Sequence, residues 1–191
     1  MQWKIEGFHL EPLEEPKFIP TALAKYRQNG EARSWEVLQA HDSVAILLYH
    51  QEKKAFILVK QFRPAVYVKN KEGITWELCA GIVDKPLSLV EIAKEEIEEE
   101  CGYDIPLASI EKITAFYTSV GFAGSRQTLF YAKVSEAFHT GEGGGLEDEA
   151  IEVIYLPIEE AKVMMYDESY VKTTGLMFAF MWWFEHHTNA L

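Results

Sequence analysis

The segment from Gly81 to Tyr103, GIVDKPLSLVEIAKEEIEEECGY, constrains the fold more than any other part of the 191-residue chain. Ser88, followed three residues later by Glu91, has the capping-box arrangement that begins a helix, and Gly102 is placed to end it. At about 100° per residue, a helix over Ser88–Glu100 gathers its apolar side chains on one stripe that can pack on a sheet. That stripe consists of Val90, Ala93, Ile97 and Cys101.

Short segments rich in β-branched and aromatic residues recur along the chain with turn signals between them, which predicts a mixed sheet. The predicted strands are Ser43–Tyr49, Ala55–Phe62, Ile74–Cys79, Ile113–Tyr117, Gln127–Val134 and Ile151–Leu156. Helical patterns cover Ile158–Met165 and roughly Ser169–His187. The order of strands, helix, strands and helix favours an α+β layered domain over a doubly wound one.

Residues 1–40 differ from the rest and predict a small N-terminal unit. Asn29-Gly30 is a strong two-residue hairpin signal, with strands expected near Leu23–Gln28 and Arg33–Gln39. A lone hairpin is marginally stable, so it must pack on the main domain or on a second copy of the chain. We therefore expect residues 1–40 to serve in homodimerisation and residues 41–191 to form the main domain.

Composition limits the partners that the chain can have. A formal net charge of −12 argues against duplex DNA and anionic membranes, which are bound mainly through clustered Lys and Arg. The apolar stretch Gly175–Phe184 is about half of the roughly 20 residues that span a bilayer. Two cysteines without zinc-like spacing, and no signal peptide, predict the cytoplasm. The six histidines follow no metal-ligand pattern.

The glutamates of the predicted helix carry more charge than an ordinary solvated face. Like charges four residues apart repel, and Glu91–Glu95, Glu95–Glu99 and Glu96–Glu100 are all such pairs. Lys94 is the only cation within the helix segment. A divalent cation would balance the charge, and Mg²⁺, for which Mn²⁺ can substitute, takes carboxylate oxygens and often shares them with substrate phosphates.

The spacing of this segment resembles the Nudix box, which runs Gly, Glu, Arg-Glu, Glu-Glu, Gly at fixed separations. The matching residues are Gly81, Glu96, Glu99, Glu100 and Gly102. Two positions depart from the box: Leu87 replaces the early Glu, and Glu95 replaces an Arg that usually orients the catalytic carboxylates. The resemblance implies the Nudix fold, an α/β/α sandwich with a mixed sheet, and a magnesium-dependent hydrolase. An altered box also leaves open a module that binds nucleotide sugars without catalysis.

The resemblance extends over about Tyr26 to Leu156, through YRQNG, SWEVLQAHDSVAILL, LVKQFRPAVY, ELCAGIVD and GSRQTLFYAKV. These motifs resemble the UDP-sugar and ADP-ribose pyrophosphatase branch, and most closely UDP-glucose pyrophosphatases. They imply a nucleoside diphosphate sugar that is cleaved to a nucleoside monophosphate and a sugar phosphate. ADP-ribose is the alternative substrate, although Ser119-Val120-Gly121 lacks the proline that ADP-ribose enzymes often carry there.

The same resemblance assigns the metal and catalytic groups. Glu96 and Glu100 match direct metal ligands, with Glu99 nearby, and the carbonyl of Ala80 matches a main-chain ligand. A mobile acidic loop, Gly141–Val153, would supply the catalytic base and a further metal ligand. Three consecutive glycines would give that loop hinge freedom, although a plain acidic turn is the alternative. Its candidate carboxylates are Glu149, which is favoured, and Glu147.

Substrate groups are expected on cations and aromatic rings. Arg63 and then Arg126 are candidates for the phosphates, because a guanidinium can grip two oxygens at once, unless each seals a turn by ion pairing. Arg27, in the hairpin, would reach the site of a dimer partner. The rings available to stack on a nucleobase, rather than serve as core, are Trp35, Tyr67 and Phe122.

Overall fold

A computed structural model describes residues 4–11, 13–146 and 149–187 of the chain. Its strands are β1 Thr21–Gln28, β2 Glu31–Leu38, β3 Ser43–His50, β4 Ala55–Phe62, β5 Ile74–Glu77, β6 Cys79–Ile82, β7 Ile110–Thr118, β8 Ser125–Val134 and β9 Ile151–Pro157. Its α-helices are α1 Pro64–Asn70, α2 Leu89–Cys101, α3 Ile158–Tyr166 and α4 Thr174–His186.

Strands β3 to β9 form one mixed sheet. Five of them lie in the order β5-β4-β3-β8-β7, while β6 pairs with β3 and β9 pairs with β4. The central pair, β3 with β8, is parallel, and the other pairs are antiparallel. This arrangement brings β6, which leads into α2, next to the middle of the sheet.

Helices cover both faces of the sheet, because its central strands are apolar on both sides. Alternate side chains of β3 and β4 belong to two separate clusters, as the two-residue period of a strand requires. One cluster packs against α2 and the other against α3 and α4. The predicted α/β/α sandwich is confirmed. Among the described residues, no helix has the length and apolar character needed to cross a bilayer.

The hairpin forms where Asn29-Gly30 predicted it. Asn29 and Gly30 have φ values of 54° and 85°, as a two-residue turn between twisted strands requires. β1 and β2 make a separate two-stranded sheet. It meets the main domain at the β7–β8 loop, where the Leu38 N–H donates to the Phe122 carbonyl at 2.7 Å. The domain boundary near residue 40 stays a prediction.

Two predictions of secondary structure are corrected, and one helix was not predicted. The single strand expected over Ile74–Cys79 is two strands, because β5 pairs with β4 whereas β6 pairs with β3. The C-terminal helix begins at Thr174 rather than Ser169, capped by the Thr173 side chain. Helix α1 was not predicted, since its β-branched and aromatic residues resemble a strand. Pro64 at its first turn is the one local signal from which this helix could have been predicted.

Candidate metal and substrate site

Helix α2 is fixed at both ends by its own sequence. The Ser88 N–H donates to the Glu91 carboxylate at 2.8 Å, and the Glu91 N–H donates to the Ser88 hydroxyl, which completes the predicted capping box. Gly102 ends the helix with φ 75°. Because both ends are fixed, the glutamates in between point in set directions.

Gly81 lies directly beneath the Glu96 side chain. A Cβ atom at residue 81 would come within 1.9 Å of Glu96 Oε1 and 2.1 Å of its Cδ. The first glycine of the box is therefore required by this close approach, since any side chain would occupy the position of the carboxylate. β6 and α2 hold the Glu96 carboxylate against the backbone of Gly81, next to the middle of the sheet.

Glu100 is a buried carboxylate, with 5% of its surface exposed. Its Oε2 accepts a hydrogen bond from the Ala80 N–H at 2.9 Å, which joins the end of α2 to β6. Burial raises the pKa of Glu100 to about 8, against the opposing effect of the Ala80 hydrogen bond, and the nearby charge of Glu96 raises it further. The Glu100 carboxylate is therefore short of positive charge around it.

Glu96 is in the same condition. Burial first, and then repulsion by Glu99, raise its pKa to about 7, while the cation of Lys85 lowers it. In the described ranges, no three acidic, His or Cys side chains converge into a complete cage for a metal ion. An all-oxygen set nevertheless lies where α2 meets β6, and it consists of Glu96, Glu100 and the Ala80 carbonyl. Such a set fits a hard divalent cation that also takes oxygens from water and substrate.

Lys85 supplies a cation that the sequence analysis overlooked. Its ammonium lies 2.7 Å from the Glu95 carboxylate, so the loop before α2 is paired with the helix. Glu95 stands where the box has an arginine. The box has a base on the helix at this position. Here the helix carries the acid, Glu95, and the loop carries the base, Lys85.

The glycines of the acidic loop are held against the end of α2. Gly144 and Gly145 donate to the carbonyls of Glu100 and Glu99 at 2.8 and 3.1 Å. Both glycines have positive φ, and a Cβ on Gly143 would lie 2.3 Å from the Glu100 carbonyl oxygen. These contacts hold the three glycines against the end of α2, so they do not support the hinge freedom predicted for the glycines themselves.

Glu149 lies close enough to the site for its charge to act there. Its negative charge contributes, after burial and nearer groups, to the raised pKa of both Glu96 and Glu100. The Leu146 N–H donates to its carboxylate at 3.1 Å, which orients the side chain. Glu147, the other candidate base, lies outside the described residues.

Arg63 is held by a two-point ion pair. Its Nε and Nη2 donate to the two carboxylate oxygens of Glu77 at 2.8 and 2.7 Å, and the Thr75 hydroxyl donates to the same carboxylate. Hydrogen bonding to Glu77 raises the pKa of Arg63, and the charges of Glu100 and Glu149 also contribute. Arg63 thus combines ion pairing with a location next to the acidic groups.

Trp35 and Phe122 lie together where the hairpin meets the β7–β8 loop. The Trp35 indole N–H donates to the Gly121 carbonyl at 2.6 Å, yet 59% of Trp35 and 52% of Phe122 remain exposed. Both line a cavity of about 520 Å³. A fixed and exposed aromatic face can stack on a flat ring.

The other three substrate candidates lie apart from this group. Tyr67 packs between Phe8 and Phe62, with ring centroids 4.6 and 5.4 Å away. Arg27 donates to the Gly30 carbonyl at the hairpin tip. Arg126 is exposed at the start of β8, where its backbone N–H bonds to Asp42. Their roles toward a substrate stay predictions.

Sequence reasoning missed Glu77 and Lys85 as members of the site. Glu77 had a recognisable signal, because it is a charged residue in the otherwise apolar strand segment ITWELC. Lys85 had none, since a lysine in a loop is ordinarily solvated.

Comparison with known proteins agrees with this geometry. A family model described as NUDIX domain matches residues 39–174. The chain is 39% identical to the uridine diphosphate glucose pyrophosphatase of Bos taurus, in an alignment that covers 88% of this chain and 89% of that protein. The protein of the same name from Mus musculus is 39% identical over 95% of each chain. The GDP-mannose pyrophosphatase of Cronobacter sakazakii is 42% identical over 71% of each.

Proposed function

The chain belongs to the Nudix family of hydrolases, and we propose that it hydrolyses the pyrophosphate bond of nucleoside diphosphate sugars, with UDP-glucose as the first substrate to test. The observation that carries this proposal is the arrangement of two glutamates where α2 meets β6. Glu100 is buried and bonded to the Ala80 N–H, and Glu96 lies above Gly81. Relatives named for UDP-glucose and GDP-mannose support the substrate class.

Nudix hydrolases need a divalent metal, and we propose Mg²⁺, with Mn²⁺ as a substitute. Glu96, Glu100 and the Ala80 carbonyl would hold it, with Glu99 and Glu149 as further ligands. Bound there, the cation would neutralise charge on the pyrophosphate and lower the pKa of a water molecule. The raised pKa of both Glu96 and Glu100 supports this assignment, because burial and neighbouring carboxylates disfavour their charged forms and a bound divalent cation would offset both effects.

The remaining groups bind substrate and move a proton. Arg63 uses two of its N–H groups on Glu77 and keeps others to donate to phosphate oxygens. Glu149 accepts the proton of the attacking water. The water oxygen bonds to one phosphorus as the bond from that phosphorus to the bridging oxygen breaks. The products are a nucleoside monophosphate and a sugar phosphate.

We further propose that the chain is a homodimer in the cytoplasm. The hairpin exposes apolar side chains, with 54% of Leu23 and 45% of Tyr26 accessible, which favours a second copy as their cover. Arg27 would then contribute to the partner's site. Buried, unbridged Cys79 and Cys101 fit a reducing compartment. Sedimentation at micromolar concentration tests the dimer, and a monomer would refute both the dimer and the Arg27 contribution.

The function is tested by release of nucleoside monophosphate from UDP-glucose, GDP-mannose and ADP-ribose with Mg²⁺ or Mn²⁺. We expect turnover of a nucleotide sugar that falls by at least about 100-fold in Glu100→Gln. Glu98→Gln is the matched control, because Glu98 is an exposed acid on the same helix. Tight binding without turnover at any metal concentration would instead identify a binding module. Much faster turnover of ADP-ribose would replace the proposed substrate.

A further inference from the structure

A second cavity, of about 720 Å³, opens where helix α4 stops covering the sheet. Farther along, α4 packs on the sheet through Leu176, Ala179 and Phe180. α4 begins at Thr174, and its first two residues, Thr174 and Gly175, line the cavity. The sheet, the helix start and α1 form the walls of the cavity. Its size is that of a small-molecule site.

Gln127 places a polar group in the floor of this cavity, which otherwise continues the hydrophobic core. Gln127, Leu129 and Tyr131 alternate along β8 onto the face that α4 covers. Leu129 and Tyr131 are buried in the core, whereas Gln127 lines the cavity with an amide. Gly175 lets α4 approach closely, since a Cβ there would meet Gln127 Oε1 at 2.7 Å.

The cavity adjoins the proposed metal site through two of its lining residues. Ala80 pairs with Ala45 across β6 and β3, and both line the cavity, while the Ala80 N–H bonds to Glu100. Arg63 lines it together with its partner Glu77. A pyrophosphate held by Arg63 and a cation at Glu100 would therefore have one end directed into this cavity.

The chemical character of the walls fits a sugar phosphate. Arg63 and Lys172 bring two positive charges against the one negative charge of Glu77. The Lys172 ammonium donates to the carbonyls of Asp167 and Tyr170 at 2.7 and 3.4 Å, which fixes its place on the wall. Apolar side chains, such as those of Val66, Leu78 and Phe116, make up much of the rest. Hydroxyl and amide groups, which both donate and accept as sugar hydroxyls do, lie among them. They belong to Thr75, Thr118, Ser119, Gln127, Thr173 and Thr174.

One loop separates this cavity from the aromatic one. Ser119 lines the cavity at the start of α4, whereas Gly121 and Phe122 line the cavity that contains Trp35. Ser119 has φ 49°, and its carbonyl accepts from the backbone N–H groups of three following residues at 2.9 to 3.2 Å. A non-glycine residue held with positive φ by such contacts fixes the loop between the two spaces.

We propose that the cavity at the start of α4 binds the glycosyl phosphate half of the substrate, and that Gln127 and Thr174 contact its sugar. This inference rests on the proposed function, since it divides that substrate between two spaces. The nucleobase would lie on Trp35 and Phe122, in the same chain or in a dimer partner. Sugar preference then depends on the start of α4 and on β8, apart from the residues that read the base.

The test separates the two halves of the substrate by using the two products as ligands. We measure dissociation constants of glucose 1-phosphate and of UMP, in Mg²⁺, by calorimetry or NMR titration. Gln127→Leu and Thr174→Val each remove a polar group at similar volume, and Thr173 rather than Thr174 caps the helix. We expect each to weaken glucose 1-phosphate binding by about 10-fold and UMP binding by less than about twofold.

Two comparisons keep the test decisive. Trp35→Ala should do the reverse, weakening UMP alone, and Lys162→Met, on α3, should change neither constant. No binding of glucose 1-phosphate to the native chain, or equal weakening of both ligands in Gln127→Leu and Thr174→Val, would overturn the inference, with thermal melts to verify folding. Because these are binding measurements, absence of turnover would refute the proposed function without deciding the cavity.

Discussion

Replacing Gly81 by alanine tests whether the Glu96 carboxylate must rest on bare backbone. The new methyl group would lie 1.9 Å from Glu96 Oε1, about 1.5 Å short of ordinary contact. The carboxylate is the free end of a flexible side chain, so it can move aside at little cost to stability. A misplacement of about 1 Å in a catalytic group can cost about 100-fold in rate. We therefore expect Gly81→Ala to lower kcat/KM about 100-fold, roughly 2.7 kcal/mol, with a nearly unchanged Tm.

The assay measures kcat/KM on UDP-glucose over a Mg²⁺ series, beside calorimetric Mg²⁺ binding and thermal melts. Gly141→Ala is the matched control, because a Cβ at residue 141 has no atom within 4 Å. We expect added Mg²⁺ to restore part of the activity of Gly81→Ala, since one ligand is displaced rather than lost. Native Mg²⁺ affinity and native turnover in Gly81→Ala would refute this account of the site.

Three other outcomes follow from the charges around α2 and Arg63. With a chelator present, Tm should fall from about pH 5 to about pH 8. Burial raises the pKa of Glu100 from 4.5 to about 8, so between those values the folded chain binds more protons than the unfolded chain and stability drops as pH rises. Glu100→Gln should flatten the slope, and a native Tm that rises over this range would contradict the assignment. Lys85→Glu should lower kcat/KM up to about fivefold, the scale of an exposed ion pair, and Lys85→Glu/Glu95→Lys should recover it if the pair positions the helix. Failure of that recovery would mean that Lys85 acts alone. Glu77→Gln should raise KM about 10-fold with less effect on kcat, because Arg63 loses the charged partner that orients it. An unchanged KM in steady-state kinetics would remove Arg63 from phosphate binding.

The sequence predicted those parts of the fold that depend on short-range interactions. The capping box and Gly102 fixed α2 to within one residue at each end, and Asn29-Gly30 located the hairpin turn. Alternating apolar residues identified the central strands. The errors arose where pairing partners matter, as in Ile74–Cys79, because a change of neighbouring strand at Leu78 leaves no mark in the local pattern.

The same division applies to the site. Helical spacing alone determined that Glu96, Glu99 and Glu100 share one arc of α2. Only the tertiary structure decided that Glu100 is buried against Ala80, since that contact joins residues 20 positions apart. It also decided the Lys85–Glu95 pair and the cavity at the start of α4.

Sequence therefore determined which groups are the candidates for the chemistry, because local backbone geometry sets their spacing. Tertiary structure determined their surroundings, because burial, neighbouring charge and cavity shape depend on which distant segments pack together. Glu100 illustrates both: its place on α2 follows from helical spacing, whereas the burial that raises its pKa to about 8 comes from the sheet on which α2 packs.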